Sequence, residues 1–102
     1  MILRHVVLFG FKAAVSEGEI GEVVQRFLAL RTEVPGIEAF EWGLNNSPEG
    51  LHRGLTHAFT LTFASLSARD AYLVHPDHAA FAQWVGPFIE AVTVIDYEAE
   101  AV

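Results

Sequence analysis

Apolar positions along this chain recur with two periods, one for strands and one for helices. Residues 2–12, from Ile2 through Val6, Val7, Leu8 and Phe9 to Lys12, are β-branched and aromatic on both alternating faces. That pattern predicts a strand covered on both sides. Ser16 followed by Glu19 is a capping-box signature, and Ile20, Val23, Val24, Phe27, Leu28, Leu30 and Val34 then recur at helical spacing until Pro35 and Gly36. A second strand is expected over 37–44, with Glu38, Phe40 and Trp42 alternating against Ala39 and Glu41. Turn formers from Asn45 to Gly54 predict a surface loop. A third strand is expected over 55–64, with His57, Phe59, Leu61 and Phe63 on one face and Thr56, Ala58, Thr60 and Thr62 on the other. Ser67 with Asp70 reads as the cap of a short helix that Pro76 restarts, with Phe81, Val85, Phe88 and Ile89 inward and a kink at Gly86 and Pro87. The last strand is expected from Val92 to Glu98.

The resulting order, βαββαβ, predicts an α+β fold with a four-stranded antiparallel sheet, and the 102 residues leave room for one domain over 1–102. Two helices cover only one face of such a sheet. The other, carrying Val6, Leu8, Ala58, Thr60 and Thr62, is too apolar to face water. Hydrophobic residues make up 52% of the chain and charged ones only 19%, so burial of that face in a homodimer is expected. Thirteen acidic residues against six basic ones give a formal charge of −7 with no basic cluster, which argues against nucleic acid or an anionic membrane surface as partner. The chain has no cysteine, which excludes disulfides, thiolate metal sites and thiol nucleophiles. No signal-peptide pattern and no bilayer-length apolar run are present, so a cytoplasmic location is expected.

Candidate chemistry concentrates in the run from Tyr72 to His78, where Tyr72, His75 and His78 surround a helix-breaking Pro76. His5 and His57 lie inside apolar strands, where an imidazole must be hydrogen-bonded or face a cavity. A neutral imidazole can take a proton from carbon next to a carbonyl, and a phenol can hydrogen-bond the developing enolate. The plainer alternative has His75 and His78 capping the restarted helix, Tyr72 packed in the core, and His5 and His57 as structural histidines. No carboxylate joins these histidines at a metal-binding spacing, so neither metal nor cofactor is expected. His52 reads as a solvated loop residue, and Phe40, Trp42, Phe59 and Phe63 as core.

The motifs, taken in order, resemble the Dabb family of stress-responsive dimeric α/β-barrel proteins. The resemblance rests on Arg4 to Phe9; on Pro35, Gly36, Ile37 with Phe40, Glu41, Trp42, Gly43; on Ser47 to Gly50; on Thr56, His57; on Tyr72 to His78; and on Asp96, Tyr97. It implies a ferredoxin-like protomer whose sheets pack face to face in a homodimer. One branch of the family is a plant polyketide cyclase, and the positions matching its functional groups are His78 and Tyr72, with His5 and His57 behind them. The resemblance thus implies catalytic roles for these four in one pocket, acting on a small carbonyl or polyketide-like molecule without a cofactor. A non-catalytic, stress-responsive dimerisation or structural module is the alternative.

Overall fold

The strand that is apolar on both faces takes the protected place in the sheet. In the computed structural model, which describes residues 2–102, β1 (Leu3–Phe11) lies between β3 (His57–Phe63) and β4 (Ile89–Glu98), with β2 (Ile37–Leu44) beyond β3. All neighbours are antiparallel, giving the order β2-β3-β1-β4. Both edges of β1 are therefore paired, and its side chains alternate between a helix-covered face and an open one.

Helix α1 (Glu17–Glu33) starts where expected: the Ser16 hydroxyl accepts from the Glu19 N–H at 3.1 Å while the Glu19 carboxylate accepts from the Ser16 N–H at 2.9 Å. Gly36, at φ 96°, turns the chain into β2 after Pro35. The second helical region is two helices, α2 (Leu66–Val74) and α3 (Pro76–Val85), so the full order is βαββααβ. Ser65, not Ser67, caps α2. Its backbone is extended (φ −155°, ψ 162°) and its hydroxyl accepts from the Ala68 N–H, whereas Ser67 already lies inside the helix. His75 closes α2 and caps α3, its extended backbone (φ −65°, ψ 136°) being what a residue before proline favours. Its Nδ1 accepts from the Asp77 N–H at 3.1 Å. The expected kink is a 3₁₀ turn, Gly86–Phe88, which ends the helix early enough for β4 to begin at Ile89 rather than Val92.

Between the helices and the sheet lies a core of Leu3, Val7, Phe9, Val23, Val24, Phe27, Leu30, Val34, Phe59, Leu61, Phe63, Tyr72, Phe81 and Val85. Phe27 is its hub, 4.6 Å from the Phe59 ring and 4.8 Å from Phe81, distances at which aromatic pairs add to simple burial. Trp42 is not plain core: it shares the helix-covered face but stays 42% exposed on the outer strand β2. On the open face Arg4, Val6 and Leu8 of β1 adjoin Ala58, Thr60 and Thr62 of β3 and Thr93, Ile95 and Tyr97 of β4. Arg4 donates to the Thr62 hydroxyl at 2.6 Å, and Ile95 and Tyr97 stay about half exposed. No helix among the described residues is long and apolar enough to cross a membrane.

Gly10 is buried where the β1–β4 register slips, and a Cβ there would overlap the backbone carbonyl oxygen of Gly54. The Gly54 backbone cannot swing aside as a side chain does. Gly10→Ala is therefore expected to lower stability by about 1 to 3 kcal/mol, in the range of overpacked interiors, read as a lower urea midpoint at unchanged m-value.

Candidate functional site

Strand register decides which polar groups meet. β1 pairs His5 with Leu61 on one side and with Asp96 on the other, so an imidazole and a carboxylate are neighbours on the helix-covered face. His5 is 4% exposed, and its Nδ1 lies 2.7 Å from Asp96 Oδ1. A carboxylate in this contact accepts, so His5 Nδ1 carries the hydrogen. The second oxygen of Asp96 accepts from Arg69 Nη1 at 2.7 Å, and Arg69 Nε donates to Asp70 at 2.8 Å. His5, Asp96, Arg69 and Asp70 form a chain of hydrogen bonds running from the interior to the surface of α2.

The break at His75 and Pro76 turns α3 against α2, and with it His78 back toward Tyr72. Their ring centroids are 4.5 Å apart, and Tyr72 also lies edge-on to His5 at 5.8 Å. His78 Nδ1 is 3.1 Å from the Leu73 carbonyl oxygen, which only accepts, so this nitrogen is protonated and Nε2 holds the lone pair. Burial lowers the His78 pKa from its ordinary 6.5, reinforced by the nearby His5 and opposed by the Leu73 carbonyl. The imidazole is thus held neutral near pH 7. Burial pushes the Tyr72 phenol well up, so it remains a proton donor. Its hydroxyl is buried with no hydrogen-bond partner.

His5, Tyr72 and His78 line one cavity of about 500 Å³. The remaining wall is mostly apolar, with Phe27, Phe81, Val85 and Ile89 among its residues and Glu90 as a further polar one. Val92 and Val94 complete the β4 side, and each is more than half exposed although it points to the helix-covered face. The helices stop short of this edge strand. The cavity therefore has one polar end, lined by His5, Tyr72 and the neutral His78 imidazole, and an apolar remainder. Such an arrangement suits a mostly apolar molecule carrying one or two oxygens.

His57 is not part of this group. It was expected in the same pocket from strand parity, and parity does place it on the helix-covered face, but the register pairs it with Phe9. Four residues along the strand separate Phe9 from His5, so the two histidines sit at opposite ends of the sheet. His57 stacks on Trp42 at 6.0 Å with an interplanar angle of 5°, meets Phe11 edge-on at 5.1 Å, and shares a 2.8 Å hydrogen bond with the Thr56 hydroxyl. Burial lowers its pKa. It borders a separate hollow of about 390 Å³ beneath the loop between β2 and β3, next to Leu8, Leu44 and His52.

Asp96 and Arg69 are polar neighbours of the candidate site that the sequence reading does not single out. Asp96 was visible as the one acid inside the run Val92 to Ile95 and Tyr97, and pairing β4 with β1 places it opposite His5. Arg69 precedes Tyr72 by three residues and so shares its side of the helix. Among the described residues, no three His, Asp or Glu side chains converge as a metal site.

The sequence profile described as the Stress responsive A/B Barrel Domain, Dabb, matches residues 3–99. The chain is 38% identical over 100 residues to the stress-response A/B barrel domain-containing protein HS1 of Arabidopsis thaliana, covering 98% of this chain and 92% of that protein. It is 26% identical over 97 residues to olivetolic acid cyclase of Cannabis sativa, covering 95% of this chain and 96% of the cyclase. Among solved structures, the hydroxynitrile lyase from Passiflora edulis superimposes with a TM-score of 0.92 at 26% identity, covering 99% and 95% of the two chains. A dimeric protein of unknown function and ferredoxin-like fold from Bacteroides fragilis does so with a TM-score of 0.74 at 27% identity, covering 96% of each. The protomer is ferredoxin-like, and the chain belongs to the Dabb family of stress-responsive A/B barrel domains.

Proposed function

We propose that the cavity binds a small, largely apolar carbonyl compound and promotes proton abstraction next to its carbonyl, as in an aldol-type cyclisation. The observation that carries this reading is the Tyr72 hydroxyl, buried without a partner beside a neutral imidazole. An unsatisfied buried hydroxyl costs stability, and a ligand oxygen would supply what it lacks. In this reading Nε2 of His78 takes the proton from the carbon α to the carbonyl while the Tyr72 O–H donates to the developing enolate oxygen. The enolate carbon then bonds to a second carbonyl carbon, and the proton held on His78 passes to the alkoxide formed there. His5, held by Asp96, is the third polar group facing the ligand. His57, remote from this cavity, has no part in the step. No cofactor is invoked. Two relatives support the reading by name, one a cyclase and one a lyase.

The functional unit is proposed to be a homodimer formed through the open sheet face, around Val6, Leu8, Ala58, Thr60 and Thr62. Its support is the half-exposed apolar surface of Ile95 and Tyr97 on that same face and the dimeric state named for a relative of this fold. The stress-response name of the plant relative favours a second reading, in which the dimer is a non-catalytic module and the cavity incidental.

A panel of β-polyketide and phenolic compounds, screened by thermal shift, separates the two. A ligand that binds only the folded protein raises its melting temperature, and a panel without effect would remove the carbonyl-pocket reading. Tyr72→Phe is expected to leave the melting temperature unchanged or raise it, because it deletes an unpaired buried hydroxyl, while abolishing the ligand-induced shift. A drop in melting temperature would mark Tyr72 as structural.

For a bound methyl ketone, His78→Ala should slow deuterium exchange at the α-carbon by about a hundredfold, the lower range for a positioned base. Because burial lowers the His78 pKa from 6.5, the wild-type exchange rate should stay level down to that pH and fall only in more acidic solution. An exchange rate that His78→Ala leaves unchanged would exclude His78 as the base.

Leu8→Glu, which places a charge in the proposed dry interface, should yield monomer or unfolded protein in sedimentation at micromolar concentration. A dimer that persists would rule out this face.

A further inference from the structure

The role of His5 in the cavity depends on which of its nitrogens faces the ligand, and the groups that fix this lie outside the cavity. We propose that Arg69 is a positioning residue: by holding Asp96, it fixes the His5 ring with Nδ1–H toward β4 and the Nε2 lone pair toward the cavity. The inference deepens the proposed carbonyl-binding site and rests on that reading for its use, though its geometry is independent of it.

Three observations carry it. First, the two oxygens of Asp96 are used by different partners, Oδ1 by His5 at 2.7 Å and Oδ2 by Arg69 at 2.7 Å. A carboxylate held at both oxygens has its plane defined, and an imidazole bonded to it inherits that orientation. Second, Asp96 has nothing else among the described residues to hold it. Its side chain is 19% exposed on an edge strand, so without Arg69 its second oxygen would turn to water. Third, Arg69 is itself braced, since its Nε donates to Asp70 at 2.8 Å while Nη1 serves Asp96. The planar guanidinium spans two carboxylates with one rigid group, which a flexible point charge does less well.

The placement of Arg69 adds a mechanical link. It sits on α2 one turn before Tyr72, while Asp96 sits on β4 opposite His5. One ion pair thereby couples the helix that carries the phenol to the strand pair that carries the imidazole. The His5 ring, edge-on to Tyr72 at 5.8 Å, is thus held from behind by Asp96 and flanked in front by the phenol.

The test reads the two ring nitrogens of His5 by nitrogen NMR on the ligand-free protein at neutral pH, the resonances being assigned by their loss in His5→Gln. Wild-type protein should show a protonated, pyrrole-type Nδ1 and an unprotonated, pyridine-type Nε2. In Arg69→Ala, and in Arg69→Gln, which keeps more of the helix-covering stem, the two signals should move toward a common averaged position. Arg69→Lys should retain the separation in large part. His78, whose Nδ1 is tied to the Leu73 carbonyl, should keep its own pattern throughout. Retention of the wild-type His5 pattern in both Arg69→Ala and Arg69→Gln would overturn the inference. So would a parallel change at His78, which would mean general loosening of the cavity. Since no ligand enters this experiment, its failure leaves the carbonyl-pocket reading standing, and a failed ligand screen leaves this result standing.

Discussion

The His5–Asp96 pair at the candidate site follows from β1 being hydrogen-bonded along both edges. A strand at a sheet edge can slip or fray, but one locked between β3 and β4 has its register set twice. A shift of one residue on either side would send His5 to the open face and separate it from Asp96. The two pairings set the histidine against its carboxylate, deliver Leu3, Val7 and Phe9 to the core on the same face, and leave Val6 and Leu8 on the other. Polar function and apolar packing share one geometric constraint, so neither can be altered without the other.

The elements were legible in the sequence where local chemistry specifies them. The Ser16 and Glu19 capping box starts α1, Pro76 restarts the helix after His75, and the β-branched and aromatic run of residues 2–12 announces a strand, β1. What stayed hidden was long-range. Parity told which face His57 occupies but not how far along the sheet it sits, and only the pairing with Phe9 separates it from His5. Trp42 has the spacing of a core residue, yet the outer position of β2 leaves it half exposed beside His57. The Ser65 cap was obscured by Ser67 two residues on, because either serine satisfies the composition rule and only backbone geometry distinguishes them.

The site's cost is concentrated in few atoms. Each histidine of the cavity has its Nδ1 engaged by an oxygen acceptor, Asp96 for His5 and the Leu73 carbonyl for His78. The burden falls on the Tyr72 hydroxyl, the one buried side-chain polar atom among the described residues that lacks a partner. A purely structural core would replace such a tyrosine by phenylalanine at no loss. Its presence beside the two imidazoles sets this cavity apart from the hollow near His57, whose imidazole is engaged with Thr56 and stacked on Trp42.

Val92 and Val94 carry a thermodynamic consequence. They lie on the sheet's inner face yet remain more than half exposed, because no helix reaches over that part of the edge strand. Apolar surface left wet in this way orders no partner and stores a heat-capacity increment in its hydration shell. A molecule filling the cavity would dry both valines together with the aromatic wall behind them. Occupancy would therefore be marked by a fall in heat capacity, and its enthalpy would become steadily more favourable on warming, whatever hydrogen bonds form at the polar end.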